Sequence, residues 1–122
     1  MKENIIRTKS FLFAIRMVKL SQYLNLEKKE FVLAKQIIRS GTSIGALVRE
    51  AEQAESSKDF VHKMYISIKE ANETKYWLEL LKETNYLTIE MFQSINLDCE
   101  EIIKILTSII KTSKIKIEEK IG

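Results

Sequence analysis

Arg39-Ser40-Gly41-Thr42-Ser43-Ile44-Gly45-Ala46 is a run of small residues set inside a strongly helical stretch. A glycine in a helix interior costs about 1 kcal/mol relative to alanine, so two of them in one turn and a half require a reason. The reason available is close approach of another backbone, which a side chain would prevent. Phe31, Ala34, Ile38, Gly41, Gly45 and Val48 surround the run at alternating spacings of three and four. That is the seam of a helix packed nearly antiparallel to its neighbours, and it predicts a helix over about 30–54.

The same periodicity recurs on both sides. Phe13, Met17, Leu20 and Leu24 predict a first helix over about 8–24, with 25–29 as a polar connection. Ser56 and Ser57 close the second helix, and either can cap a third, with Asp59 well placed in its first turn. That third helix covers about 57–84 and carries Phe60, Met64, Ile68, Ala71, Trp77, Leu78 and Leu81. Thr88 can cap a fourth over about 88–112, where Cys99, Ile103, Leu106 and Ile110 keep seam spacing and Ile102 and Ile109 widen the stripe. From Lys111 onward the pattern turns lysine-rich, and the tail is expected to fray. The expected fold is all-α, an up-down-up-down antiparallel four-helix bundle in one domain over 1–122. Wide stripes on the third and fourth helices favour an oligomer.

Composition agrees. The 122 residues include no proline and only three glycines, one of them terminal, as long helices with short turns require. No run is long enough for a membrane span and no signal-peptide pattern opens the chain, so cytoplasm is the expected compartment and no membrane partner is expected. The single cysteine, Cys99, excludes an intramolecular disulfide and a cysteine-built zinc site.

The net charge of +3 hides a strong partition. Residues 1–49 hold ten Lys/Arg against three Asp/Glu, residues 50–101 five against twelve, and residues 102–122 five against two. Such asymmetry suits a polyanion-binding face or a charge-complementary contact between subunits. In an up-down bundle the first helix starts where the fourth ends, so the two basic segments meet. Lys9, Arg16 and Lys19 with Lys104, Lys111 and Lys114 are the candidate nucleic-acid contacts, unless they only solvate the surface.

Catalytic chemistry finds little support. His62 is the only histidine. Asp59 and His62 have the carboxylate–histidine spacing of di-iron bundles, but such sites need two histidines and four inward carboxylates. The Arg-to-His spacing of small helical RNases is absent, since Glu55, Ser56 and Ser57 occupy the positions concerned. Cys99 falls on a core row, where thiols are inert. No glycine loop cradles phosphate. No catalytic residue, metal or cofactor is expected. Arg49, Glu50, Lys58 and Asp59, with Glu70 and Glu73, are read as an ion-pair network between helices or subunits rather than a reactive site. Trp77 is assigned to packing rather than to a base-stacking platform with Tyr76.

The ordered set Arg39-Ser40, Ser43-Ile44-Gly45-Ala46, Arg49-Glu50-Ala51, Ser57-Lys58-Asp59-Phe60, Glu70, Glu73, Trp77-Leu78 and Tyr86-Leu87 resembles the four-helix bundle proteins also known as 23S rRNA intervening-sequence proteins. Accessory proteins of diversity-generating retroelements are related to them. The likeness covers nearly the whole chain, but Leu47 stands where the family usually has asparagine, replacing a polar side chain with an apolar one. The resemblance implies a ring-like homopentamer. It also implies, at least for the retroelement proteins, a basic surface that binds RNA or DNA and a reverse transcriptase as protein partner; it does not imply an enzyme. The expected function is a non-catalytic nucleic-acid-binding scaffold. The alternative is an adaptor docking an acidic protein such as a reverse transcriptase.

Overall fold

The computed structural model describes residues 2–121, and four helices account for nearly all of them. They are α1 (Lys2–Leu26), α2 (Val32–Ala51), α3 (Ser57–Glu83) and α4 (Ile89–Ile121), with no strand among the described residues. Each packs on its neighbours in sequence, and α4 returns to lie beside α1, which closes the up-down-up-down bundle. The contact between α1 and α4 is the loosest of the four, and a cleft of ≈ 180 Å³ opens there.

The helix ends follow local chemistry. The Ser56 hydroxyl accepts the Asp59 N–H at 3.1 Å and caps α3, while the Asp59 carboxylate accepts the Glu55 N–H at 3.3 Å. Thr88 caps α4 by accepting the Met91 N–H at 3.1 Å. No side chain at position 31 caps α2. Glu30 supplies the acceptor instead, bonding the N–H groups of Leu33 and Ala34. Asn85 ends α3 at φ 66°, with Tyr86 N–H reaching the Leu81 carbonyl and Asn85 N–H that of Lys82. This is a Schellman closure with asparagine in the left-handed position that few other side chains accept. Lys29 also takes the left-handed conformation after α1, at φ 54°, and the Glu30 N–H there reaches the Leu24 carbonyl at 2.9 Å.

Two helices run longer than the sequence pattern predicts. Helix α1 begins at Lys2 because Ile6 is fully buried and Ser10 almost so, which extends the seam to Ile6, Ser10, Phe13, Met17, Leu20 and Leu24. A polar residue on the seam hides that extension from a hydrophobicity count. Helix α4 does not fray at Lys111 but continues to Ile121. Ile117 packs against the core and, with Lys116 and Lys120, lies beside Ser57 at the start of α3.

Two rows of α2 are buried. Ala34, Gly41, Gly45 and Val48 form one; Ile37, Ser40, Ile44 and Ala51 form the other. The small residues admit close neighbours. A Cβ on Gly45 would lie 3.1 Å from the Ser10 carbonyl oxygen, so α1 backbone does approach there. At Gly41 the neighbour is a side chain, since a Cβ would come within 2.7 Å of Met17 Sδ. On the α3 side, the Ser67 hydroxyl donates to the Ile44 carbonyl at 2.9 Å. Thr74 donates to the Ser40 hydroxyl at 3.0 Å, and Ser40 donates onward to the Gln36 carbonyl at 3.1 Å. These buried hydroxyls are therefore satisfied, and they fix the register of α2 on α3. Phe31, placed on the seam by spacing, is 61% exposed at the helix start, while Phe60, Ile68 and Trp77 form the half-buried flanks of the core.

Cys99 lies fully buried with its thiol 3.4 Å from the Ala71 carbonyl. Burial pushes its pKa from 9.0 up to about 12, with Lys75 opposing the rise. In native protein at mildly alkaline pH the thiol is expected to resist Ellman's reagent and to react at once in guanidinium; prompt native labelling would contradict the burial. The folded state holds the thiol neutral, so its contribution to stability is complete below pH 9.0 and is lost as pH climbs toward 12.

Candidate nucleic-acid interface

Antiparallel packing brings the basic ends of α1 and α4 together as the topology requires, but not as an uninterrupted cationic stripe. Where α1 faces α4, Lys9 and Arg16 each meet an acid, while Lys2 donates to the Ser108 hydroxyl. Lys9 is ion-paired with Glu101. Arg16 binds Asp98 at 2.6 Å and also donates to the Ser94 hydroxyl at 2.7 Å and the Ser94 carbonyl at 3.3 Å. These pairs line the cleft between the two helices together with Leu12, Phe13 and Ile102. Lys19 lies exposed further along α1.

The other three candidates join a different helix. The outer row of α3 reads Lys58, His62, Tyr65, Lys69, Asn72, Tyr76, Glu79, Glu83 at alternating spacings of four and three, and every member is exposed. On α4, Lys104, Thr107, Lys111 and Lys114 are exposed as well. The two rows meet where the Lys114 ammonium sits 5.0 Å from the centre of the Tyr65 ring. Lys58, Lys69, Lys104, Lys111 and Lys114 form no ion pair among the described residues. The acids of α3 between residues 58 and 76 turn elsewhere: Asp59 into the helix cap, Glu70 and Glu73 toward α2. The α3/α4 face nearest the chain termini is thus the surface where lysines stand without a paired carboxylate, with Glu118 continuing the α4 row one turn beyond Lys114. Lys69 escaped the sequence reading because it sits in the acidic middle of the chain, and only a residue-by-residue outer row would have found it.

The polar motif residues form a clasp between α2 and α3, centred on Arg39. Its guanidinium pairs with Glu73 and lies 3.6 Å from Glu70, and it also bonds Gln36 at 3.2 Å. Glu73 accepts the Trp77 indole N–H at 2.9 Å, and Lys63 pairs with Glu50 at 3.6 Å. One Glu70 oxygen is closed off from solvent without a hydrogen-bond donor, so Arg39 is the cation that holds it. Arg49 takes no part in this clasp. Its guanidinium lies 5.3 Å from the centre of the Phe11 ring on α1. Lys58 is likewise outside it, exposed on the outer row of α3. Arg39→Ala should lower stability by about 1–2 kcal/mol, because two neighbouring carboxylates lose their shared cation. Urea unfolding would read the loss, and Glu70→Gln in the same chain should restore part of it.

A wide apolar surface stays uncovered on α1 rather than on α3 or α4. Phe11, Leu12, Ile15 and Val18 are 53%, 58%, 38% and 39% exposed. Their neighbours on the same helix, Phe13 and Met17, are buried, so α1 is apolar around much of its girth. Among the described residues no group of three or more His, Cys, Asp or Glu is placed to hold a metal ion, and no helix is long and apolar enough to cross a membrane.

Comparison with known proteins fits this architecture. The family described as 23S rRNA-intervening sequence protein matches residues 2–108. Among solved structures, a protein of unknown function from the S23 ribosomal protein family of Bacteroides thetaiotaomicron VPI-5482 superposes with a TM-score of 0.90. It is 59% identical, and the alignment covers 91% of this chain and 99% of that one. No curated protein matches the chain.

Proposed function

The chain belongs to the 23S rRNA-intervening sequence protein family, and from that premise we propose that it is a non-catalytic, self-associating helical bundle that binds nucleic-acid backbone. The observation that carries the reading is the α3/α4 face, where five lysines without carboxylate partners share a surface. Phosphate contacts by such lysines release counterions, and this gives affinity without sequence preference. The rRNA in the family's name is consistent with that ligand. Lys104, Lys111 and Lys114 act with Lys58 and Lys69. Lys9 and Arg16, already opposed by acids, contribute less.

Self-association is supported by the exposed apolar surface of α1, since monomers rarely leave several large apolar side chains uncovered on one helix. A second copy seated on Phe11, Leu12, Ile15 and Val18 would bury them. It would leave the α3/α4 lysines free on the far side of the bundle.

The test is fluorescence anisotropy of labelled RNA and DNA across a salt series, with the mass of the protein measured by light scattering in the same buffer. Binding that weakens steeply with salt, by a protein heavier than one chain, is the expected result. An intact oligomer that binds neither nucleic acid at low salt overturns the reading and directs the search to a protein partner.

A further inference from the structure

The lysine face also holds two exposed aromatic rings, and backbone binding alone gives them no role. Of the four tyrosines, Tyr23 and Tyr86 are half-buried against the core. Tyr65 and Tyr76 are 46% and 58% exposed on the outer row of α3, Tyr65 beside Lys69 and the Lys114 of α4, and Tyr76 between Asn72 and Glu79.

Tyr76 is braced from beneath. The ring of Trp77 meets it edge-on, with centres 5.0 Å apart and planes at 70°. Trp77 is in turn fixed by its indole bond to Glu73, and Glu73 by Arg39. The clasp between α2 and α3 therefore ends in a tyrosine held in position with its outer surface open. Ordering a side chain on binding costs about 0.5–1.5 kcal/mol, and a ring already braced avoids much of that. Tyr65 is flanked by the Lys114 ammonium at 5.0 Å, which sets a cation beside an exposed ring.

We propose that the α3/α4 face binds single-stranded nucleic acid in preference to duplex, with bases stacking on Tyr65 and Tyr76 and phosphates held by Lys69, Lys111 and Lys114. The proposal rests on the nucleic-acid reading above and narrows its ligand. Interleaved lysines and open aromatic rings are what a single strand requires, because its unstacked bases can lie on a ring while the backbone follows the charge. A duplex keeps its bases stacked inside and offers a convex helical face only phosphate. The spacing suits a strand as well. Three helical turns separate the two tyrosines, roughly 16 Å at 1.5 Å per residue. A stacked strand advances about 3.4 Å per nucleotide, so on the order of five nucleotides span the rings. Lys69 and Asn72 stand between them, where the intervening backbone would run.

The experiment compares a short labelled single-stranded RNA, its DNA equivalent and the matching duplex by anisotropy. The proteins are the parent, Tyr65→Ala, Tyr76→Ala, Tyr76→Phe and the triple lysine variant Lys69→Glu/Lys111→Glu/Lys114→Glu. The parent should bind the single strands more tightly than the duplex. Each alanine variant should lose on the order of tenfold in single-strand affinity, with duplex affinity unchanged. Tyr76→Phe should keep parental affinity, since stacking needs the ring and not the hydroxyl. Circular dichroism and light scattering check that fold and mass are retained. If single strand and duplex bind equally and the alanine variants match the parent while the lysine variant fails, the backbone reading stands and the single-strand inference is overturned. If no probe binds any protein, both fall. If the alanine variants change the mass, the face is a contact between copies and the inference is likewise overturned.

Discussion

Gly45→Val is expected to cost about 3 kcal/mol or more and to lower the melting temperature by on the order of 10 °C. The Cβ alone would stand 3.1 Å from the Ser10 carbonyl oxygen and 3.3 Å from the Ser10 carbonyl carbon and hydroxyl. Two of those atoms are backbone, so no side-chain rotation can relieve the contact. Valine adds two further methyl groups directed at α1, and the whole helix must retreat. Because α1 meets α2 along its length, that retreat loosens Phe13, Met17 and Leu20 together. Gly45→Ala supplies the control. Its contact asks only a few tenths of an ångström of α1, and the change also removes the glycine penalty, so it should fall within about 1 kcal/mol of the parent. Thermal unfolding followed by circular dichroism reads both. A valine variant that melts with the parent would mean that α1 is not seated on this glycine.

Gly41 answers to a different neighbour, and a double-mutant cycle separates the two cases. Its added Cβ meets the buried Met17 side chain, so Gly41→Ala and Met17→Ala should be strongly non-additive. Met17→Ala alone should cost about 2–5 kcal/mol through the cavity it leaves. Added alanine at position 41 fills part of that space, and the pair should cost less than the sum.

The second large effect is on binding. Lys69→Glu/Lys111→Glu/Lys114→Glu should weaken nucleic-acid affinity by about two orders of magnitude at low salt and make the plot of log K against log salt shallower by about two units. Reversing three phosphate-facing charges removes three counterion releases and adds repulsion. The fold should be untouched, because none of the three lysines makes an ion pair among the described residues. Lys9→Gln/Arg16→Gln is the matched control. Those cations already face Glu101 and Asp98, so neutralising them should change affinity by no more than about threefold. A loss in the Lys9/Arg16 variant with none in the triple variant would place the binding surface on the α1/α4 side instead.

Much of the fold was legible residue by residue. Spacings of three and four marked all four helices, Ser56 or Ser57 and Thr88 marked two caps, and the small run at 40–46 announced a close neighbour. Each of these is a local property, decided by residues within one or two turns of each other. The places where the pattern fell short were also local in cause. Ser10 interrupts the apolar seam of α1, and lysines along the tail of α4 mask the row that ends at Ile117.

Sequence by itself therefore determined the helices, the caps of α3 and α4 and their antiparallel order, because the 3.6-residue period writes each buried row into nearby positions. It did not determine which charges survive on the surface. Arg16 and Asp98 are 82 residues apart in the chain, and Arg39 and Glu73 are 34 apart. Whether such residues meet depends on the rotation and axial register of one helix against another, which the packing of Gly41, Gly45, Ser40 and Thr74 sets across the whole bundle. Only that tertiary register neutralised Lys9 and Arg16, gathered Lys69 with the lysines of α4, and left Tyr76 braced and open on the same face.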